Sequence, residues 1–247
     1  MHTDDPRRVP SLGPQTLDQL RRVALALDPG RPAVVWYGPN AARIELSGTT
    51  LANAIAKTAN LLAEEIEPGD LVRLELPLHW QLAVWLGACA AGGWPVEVGP
   101  DSGQAALTVT APGQIPAGGG RRAVVSLDPF GRPAGAVPSG SIDVATEGRA
   151  QPDYFQPFDI PSPSTLALRI ADKSWTGAQV VAAAQEMAFE WTLQPGDRLT
   201  TIHPATDLVG VLSALWISLS VGACVVLLDP DLPLEVADQE RASRLVR

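Results

Sequence analysis

The sequence predicts an α/β protein of two related subdomains, whose mostly parallel sheets are covered by helices. One order of elements occurs twice in the 247 residues: a turn, a strand, a proline, an apolar helix, a glycine step and a second strand. The two copies keep an offset of 127 residues, from Asp70 to Asp197 and from Pro77 to Pro204. The inner helix of each copy is apolar nearly all round, which is typical of a helix that lies between two layers.

The first half, residues 1–101, alternates helical and strand-like patterns that turn residues separate. Its expected elements are a helix at 16–27, strands at 33–37 and 42–46, a helix ending near Glu65, a strand at 71–76, a helix from Trp80 and a strand at 95–98. A hairpin joins the first two strands, because Gly-Pro-Asn at 38–40 supplies turn chemistry. Ser47 or Thr49 can cap the helix that follows, since each offers a side-chain oxygen to its first free amides.

Residues 102–164 are rich in glycine and proline, and we predict long loops joining short strands at 105–110, 123–127 and 142–145. The second half, residues 165–247, repeats the order of the first. Its expected elements are a strand at 165–170, a helix at 178–191, a strand at 198–202, a helix from Asp207, a strand at 223–228 and a final helix at 234–246. Each copy is therefore expected to form a right-handed crossover between two parallel strands.

Charge and composition exclude several classes of function. The formal charge of -9 includes no basic block, so a nucleic-acid partner is not expected. Cys89 and Cys224 lie in apolar runs without metal-type spacing, which predicts buried thiols, a reducing compartment and no metal site. The first residues lack an apolar signal-peptide region, which predicts a cytoplasmic protein. Residues 208–228 are uncharged, but Gly222 divides them into helix-like and strand-like parts, so no membrane span is expected.

Two segments resemble the N-terminal region of the AMP-forming adenylating superfamily. The first is LLAEEIEPGDLVRLELPLHWQLAVWLGACAAGGWPVEVGPD, and the second is LQPGDRLTTIHPATDLVGVLSALWISLSVGACVVLLDP. This superfamily includes acyl-CoA synthetases, luciferases and nonribosomal adenylation domains, and the resemblance implies the fold of the N-terminal part of acyl-CoA synthetases. The chain is identified as a truncated, degenerate relative, in a short uncharacterised bacterial family of high-GC Gram-positive organisms.

The resemblance implies a candidate cofactor site after the strand at 165–170. In the superfamily this strand leads into a glycine-rich loop that holds the ATP phosphates. Here the same place holds Lys173 and Thr176 without a glycine run, so we expect a short connection instead of a loop. These two residues are the candidate ligands of ATP with Mg²⁺, and a solvated turn is the alternative role for the lysine. No cofactor is assigned from this pattern.

A second candidate site, an acyl or nucleotide pocket, follows the later strand of the second copy. In the superfamily a His and a Gly come three and six residues after the proline beyond this strand. Counting from Pro204 places Asp207 and Gly210 at these positions, with Thr206 beside them. His203, next to the proline, is the fourth candidate. Capping of the following helix is the alternative role for Asp207.

Three functions remain open on the sequence. The leading hypothesis is a non-catalytic binding or protein-interaction module, a pseudoenzyme without assigned catalytic residues. Its basis is the reduced loop, together with an end at Arg247, before the superfamily's C-terminal catalytic lysine. The second hypothesis is a component of a split acyl/adenylate-forming ligase, with the strand at 223–228 as an exposed edge. The third is a sensor of an acyl or nucleotide ligand. The expected partners are accordingly a protein, a second copy in a homo-oligomer, or such a ligand.

Overall fold

A computed structural model describes residues 13–40, 42–99, 103–114, 120–133, 135 and 137–247. Its strands are β1 (Pro32–Gly38), β2 (Ala42–Ser47), β3 (Val72–Glu75), β4 (Val96–Val98), β5 (Leu107–Thr110), β6 (Arg121–Val124), β7 (Ile142–Asp143), β8 (Leu166–Ile170), β9 (Lys173–Thr176), β10 (Arg198–Thr201), β11 (Cys224–Leu228) and β12 (Arg244–Val246). Its helices are α1 (Leu17–Leu27), α2 (Gly48–Glu65), α3 (Trp80–Gly92), α4 (Val144–Glu147), α5 (Gly177–Glu190), α6 (Leu208–Val211), α7 (Ile217–Val221) and α8 (Glu235–Gln239). A 3-10 turn, Gly148–Ala150, follows α4, and a π-helical turn, Leu212–Trp216, joins α6 to α7.

The strands form two sheets that share one core with the helices. Sheet A has the strand order β12-β10-β11-β1-β2, and sheet B has the order β7-β6-β5-β3-β4-β8-β9. Neighbouring strands are parallel except in the hairpins β1–β2 and β8–β9. Side chains from both sheets and from α1, α2, α3, α5 and α7 belong to one hydrophobic core. The predicted fold class, α/β with mostly parallel sheets covered by helices, is confirmed.

The two copies of the repeat adopt the same local structure. In the first, β3 and β4 form a parallel pair across α3, and in the second, β10 and β11 form one across α6 and α7. A hairpin and a helix precede each pair: β1–β2 with α2, and β8–β9 with α5. Each hairpin joins the parallel pair of the other copy, because β1 lies beside β11 and β8 lies beside β4. The halves therefore share both sheets, and neither half forms a sheet of its own.

The segment between the halves extends sheet B. After β4 the chain crosses back over β3, and β5, β6 and β7 then add to the sheet in parallel. The later apolar stretch, residues 208–228, is divided between a helical part and β11, as its composition predicts. Within the ranges that the model describes, no helix combines the length and apolar character needed to cross a bilayer.

The predicted final helix at 234–246 is wrong beyond Gln239. Arg241 has a φ of 53°, a left-handed conformation that ends the helix. The Ser243 amide then donates to the Arg198 carbonyl oxygen at 2.9 Å, which starts the pairing of β12 with β10. Helical propensity is weak over such a short stretch, so pairing with a buried strand decides its structure.

Two further expectations about strands are corrected. The strand at 223–228 is not an edge, because β11 lies between β10 and β1 and is bonded on both sides. Residues 173–176 are more than a connection, since they form β9, the antiparallel partner of β8. A short strand of Lys, Ser, Trp and Thr has too few apolar positions to show alternation in the sequence.

Candidate functional site

The carboxyl ends of β4, β8 and β10 meet at one edge of the fold. A Cβ atom at Gly99, just after β4, would lie 3.3 Å from the Thr206 carbonyl oxygen and 3.8 Å from Ile170 Cγ2. Ile170 ends β8, and Thr206 follows β10. Open parallel sheets bind ligands outside the carboxyl ends of their strands. Lys173 and the second candidate site therefore border one region, which we call the carboxyl edge.

Arg73 on β3 holds the end of β4 at this edge. Its guanidinium donates to Glu75 Oε1 at 2.7 Å, to Glu97 Oε2 at 3.2 Å and to the Gly99 carbonyl oxygen at 2.7 Å. The side chains of Arg73 and Glu97 are 9% and 1% exposed, so their ion pair is buried. Sequence analysis did not identify this pair. The available signal was a charged residue within each of two neighbouring apolar strands.

Lys173 lies at the turn of the β8–β9 hairpin. It pairs with Ile170, so only Ala171 and Asp172 connect the two strands. Ala171 has a φ of 52°, which matches the left-handed residues of tight hairpin turns. Residues 171–173 are exposed. The predicted short connection is thus a two-residue turn, and it has no glycine-rich backbone with which to surround a phosphate.

Thr176 lies at the opposite end of β9 from Lys173. The register pairs Leu166 with Thr176 and Ile170 with Lys173, which separates the two candidates by about 10 Å along the strand. Thr176 is the N-cap of α5: its Oγ1 accepts from the Gln179 amide at 3.3 Å, and Gln179 Oε1 accepts from the Thr176 amide at 2.9 Å. This capping box accounts for the threonine without a ligand.

His203 and Asp207 form a pair beside the carboxyl edge. His203 Nε2 lies 2.9 Å from Asp207 Oδ2, and its Nδ1 lies 2.9 Å from the Arg247 carbonyl oxygen. Asp207 is also the N-cap of α6, because its Oδ1 accepts from the Gly210 amide at 2.9 Å. The alternative role in capping is therefore present in the structure, and the histidine links the cap to the end of β12.

Both acceptors of His203 favour its protonated ring. A carboxylate and a carbonyl oxygen can only accept, so the neutral ring, with one N–H, can satisfy only one of them. The hydrogen bond to Asp207, and then the one to the Arg247 carbonyl, raise the pKa of His203. Burial opposes ionisation of Asp207, but the Gly210 amide and His203 hold the pKa of that carboxyl below its ordinary value.

We expect this pair to make stability depend on pH above neutrality. A histidine whose pKa is raised by folding stabilises the fold below its unfolded-state pKa, and this contribution is lost as pH rises through the folded-state pKa. As pH rises above about 6.5, the free energy of unfolding should fall by up to about 1 kcal/mol more in the wild type than in His203→Gln. Urea denaturation at a series of pH values measures the difference.

The buried His79 provides the internal control for this window. Burial lowers its pKa to about 4, so it stays neutral from pH 6.5 upward. The same pH dependence in the wild type and in His203→Gln would show that the His203 pair contributes nothing.

Thr206 and Gly210 are fixed by backbone packing. The Thr206 amide donates to the Pro204 carbonyl oxygen at 2.8 Å. A Cβ atom at Gly210 would lie 2.0 Å from that same oxygen, which no side chain tolerates. The glycine is therefore required for the close approach of α6 to the end of β10. In the parts of the chain that the model covers, no three His, Cys, Asp or Glu side chains are grouped to hold a metal ion.

The sequence places the chain among known relatives. No protein-family model matches it. It is 38% identical over 171 residues to a TIGR03089 family protein of Mycobacterium tuberculosis, and the match covers 65% of this chain and 70% of the relative. The chain belongs to the TIGR03089 family.

The fold of this TIGR03089 family member resembles larger enzymes. It matches the acyl-CoA synthetase of Brucella canis with a TM-score of 0.74 and 19% identity, over 88% of this chain and 44% of the enzyme. The acetoacetyl-CoA synthetase of Streptomyces lividans gives a TM-score of 0.76 at 18% identity, over 93% and 42% of the two chains. The nonribosomal peptide synthetase FmoA3 gives 0.69 at 19% identity, over 92% and 25%. The predicted likeness in fold to the N-terminal part of acyl-CoA synthetases is confirmed, and the chain spans less than half of each of these proteins.

His79 of this family member is a structural residue. It is 1% exposed, its Nδ1 accepts from the Gln81 amide at 3.2 Å as the N-cap of α3, and its ring lies 4.2 Å from the ring of Trp36. With a pKa of about 4 it is neutral near pH 7 and holds no proton to donate as an acid. It directly precedes its helix, as Asp207 directly precedes α6, although the 127-residue offset pairs His79 with Thr206. Both copies therefore cap their inner helix with a polar side chain.

Proposed function

We propose that this TIGR03089 family member is a non-catalytic relative of the adenylating enzymes, which uses their N-terminal fold as a binding or protein-interaction module. The observation that supports this best is the two-residue turn between β8 and β9, where the superfamily has its phosphate loop. A nucleoside triphosphate needs several free amides or cations in one place. The cation at this turn is Lys173, and the start of α5, at the other end of β9, is closed.

The first amides of α5 are bonded within the protein. Three of them donate to protein oxygens: Gly177 to the Thr165 carbonyl at 3.0 Å, Ala178 to the Pro163 carbonyl at 2.9 Å and Gln179 to Thr176 Oγ1 at 3.3 Å. A phosphate would have to displace these bonds before it could bind the helix start. The residues present at the β8–β9 turn and at the start of α5 therefore do not fit ATP with Mg²⁺, and we assign no ATP-dependent step.

The start of α2 in the first copy has the same closed form. Its first three amides donate to protein oxygens: Gly48 to the Arg31 carbonyl at 3.0 Å, Thr49 to the Pro29 carbonyl at 2.8 Å and Thr50 to Ser47 Oγ at 3.2 Å. In both copies a hairpin leads directly into a capped helix. The passage from β9 into α5 therefore has the same internally bonded structure as the passage from β2 into α2.

The charge at the hairpin turn also opposes phosphate binding. Asp172 precedes Lys173, and both side chains are exposed. A carboxylate beside the one cation cancels most of the attraction that a phosphate would feel.

The buried free thiols Cys89 and Cys224 are consistent with a cytoplasmic location, which we include in the proposal.

We expect the purified protein to form no acyl adenylate. With ATP, Mg²⁺ and a series of short- to long-chain fatty acids, pyrophosphate release should equal that of Lys173→Ala, because the two-residue turn does not hold a phosphate beside the lysine. Titration calorimetry with ATP and Mg²⁺ at millimolar concentration should show no saturable heat. Turnover above the variant's baseline would overturn the non-catalytic assignment.

The two alternative functions have their own outcomes in these experiments. Saturable ATP binding that Lys173→Ala abolishes would favour a component of a split ligase. Fatty-acid binding that Asp207→Asn abolishes would favour a ligand sensor at the carboxyl edge. Thr176 and Gly210 are unsuitable for these tests, since substitution of either disturbs α5 or α6 directly.

A further inference from the structure

An extended segment, residues 152–160, presents apolar side chains to solvent. We call it the strap, and it contains neither helix nor strand. Phe158 is 93% exposed, Ile160 is 77% exposed and Tyr154 is 70% exposed. Large apolar side chains concentrated in one short segment are unusual on a monomer and indicate a contact surface.

The strap is held firmly at its base. Asn60 Nδ2 on α2 donates to the Pro152 carbonyl oxygen at 3.1 Å and to the Tyr154 carbonyl oxygen at 2.9 Å. The ring of Phe155 packs against that of Trp94, with 6.1 Å between their centroids. The exposed side chains therefore project from an ordered backbone, which lowers the entropy cost of binding through them.

A groove lies directly beside these side chains. It has a volume of about 660 Å³, and its apolar walls include Ile66, Pro68, Trp94 and Phe155. Of the three exposed side chains, Phe158 lines it. A projecting aromatic side chain and an apolar groove that could receive one thus occupy the same patch of surface.

We infer that the strap and its groove form a twofold self-association surface, in which Phe158 of each copy fills the groove of the other. A twofold interface uses one patch on both subunits, so the patch must contain both the projecting group and its receptor. This inference rests on the proposed function, because it names a second copy as the partner of the interaction module.

The area available suits a weak, reversible dimer. The three exposed side chains can bury on the order of 400 Å² in each copy. The groove of the same copy offers a smaller area than these side chains. Over both copies the total is on the order of 1,000 Å², which lies at the lower end of specific protein interfaces.

Acidic side chains around the groove predict how salt acts on this dimer. Glu67 and Asp159 border the groove, and Glu64 lies nearby, bonded to Gln151. Two copies bring these like charges together, so salt should screen the repulsion and strengthen the dimer. A basic partner protein on the same surface would show the opposite dependence.

Sedimentation equilibrium of the full chain tests the inference. Between about 1 and about 200 µM the wild type should dimerise reversibly, with tighter association in about 0.5 M than in about 0.1 M NaCl. Phe158→Ser should weaken the dimer by at least about tenfold. Ala63→Trp, which fills the groove from an exposed position on α2, should weaken it to a similar extent.

Phe189→Ser is the matched control, because Phe189 is 83% exposed on α5 and does not line the groove. It should leave the dimer unchanged. A monomeric wild type, a dimer that resists both strap and groove variants, or an equal loss in Phe189→Ser would overturn the inference. Each of these results leaves the non-catalytic assignment intact, and acyl-adenylate formation would overturn that assignment without touching the dimer.

Discussion

Gly210→Ala is expected to lower the free energy of unfolding by about 3 kcal/mol. The new Cβ atom would lie 2.0 Å from the Pro204 carbonyl oxygen, 2.8 Å from its carbonyl carbon and 2.9 Å from Ala205 Cα. These are backbone atoms, so none can turn aside as a side chain would. The start of α6 must move away from the end of β10, which breaks the cap at Asp207. Urea denaturation followed by circular dichroism measures the loss.

Gly30→Ala is the control for this substitution. A Cβ atom there meets nothing within 4 Å, and the change in the free energy of unfolding should stay within about 0.5 kcal/mol. The strain at Gly210 also predicts a change at His203, because its partner Asp207 would be displaced. Gly210→Ala should therefore weaken the pH dependence above neutrality. Equal stability of the two alanine variants would contradict the close packing of α6.

Local elements of this fold are predictable from the sequence because their signals are local. The apolar inner helices, the Pro-Gly-Asp turns and the glycine steps each occupy a few consecutive residues, and their repetition at one offset identifies the two copies. The exchange of hairpins between the copies is not predictable in this way. The pairing of β1 with β11 joins Val34 to Val225, and no pattern within either strand specifies so distant a partner.

The candidate site shows the limit of reasoning from position in a motif. Thr176 and Asp207 stand where a resemblance places ligands, and both cap helices in the structure. A polar residue before an apolar helix has these two roles available, and the sequence alone does not separate them. The relation between Thr176 and Gln179 three residues later was the useful signal, because it is the pattern of a capping box.

The β8–β9 hairpin and the start of α5 are ordered by contacts within the chain. Two residues join the strands, and the helix is capped from within. A two-residue hairpin needs no ligand to order it. On the proposed function, binding is therefore expected at the strap and not at the carboxyl edge.

Arg73→Met is expected to cost about 3 kcal/mol, because it removes an ion-pair partner of a buried carboxylate. The side chain of Glu97 is 1% exposed, and Arg73 donates to it, to Glu75 and to the Gly99 carbonyl oxygen. Water cannot replace these donors at a buried position. Adding Glu97→Gln to the variant removes the buried charge and should restore part of the stability. Chemical denaturation of the two variants measures both effects.

Arg132→Met is the control for Arg73→Met, because it removes an arginine from an exposed ion pair instead of a buried one. Arg132 donates to Asp128 at 2.9 Å, but its side chain is 67% exposed, so water can solvate the carboxylate when the arginine is removed. The same substitution should therefore leave the unfolding midpoint unchanged at this position and shift it strongly at Arg73. Similar small shifts at both positions would mean that the β3–β4 ion pair does not stabilise the carboxyl edge. A large loss at Arg73 that Glu97→Gln partly reverses would identify the buried charge as its cause.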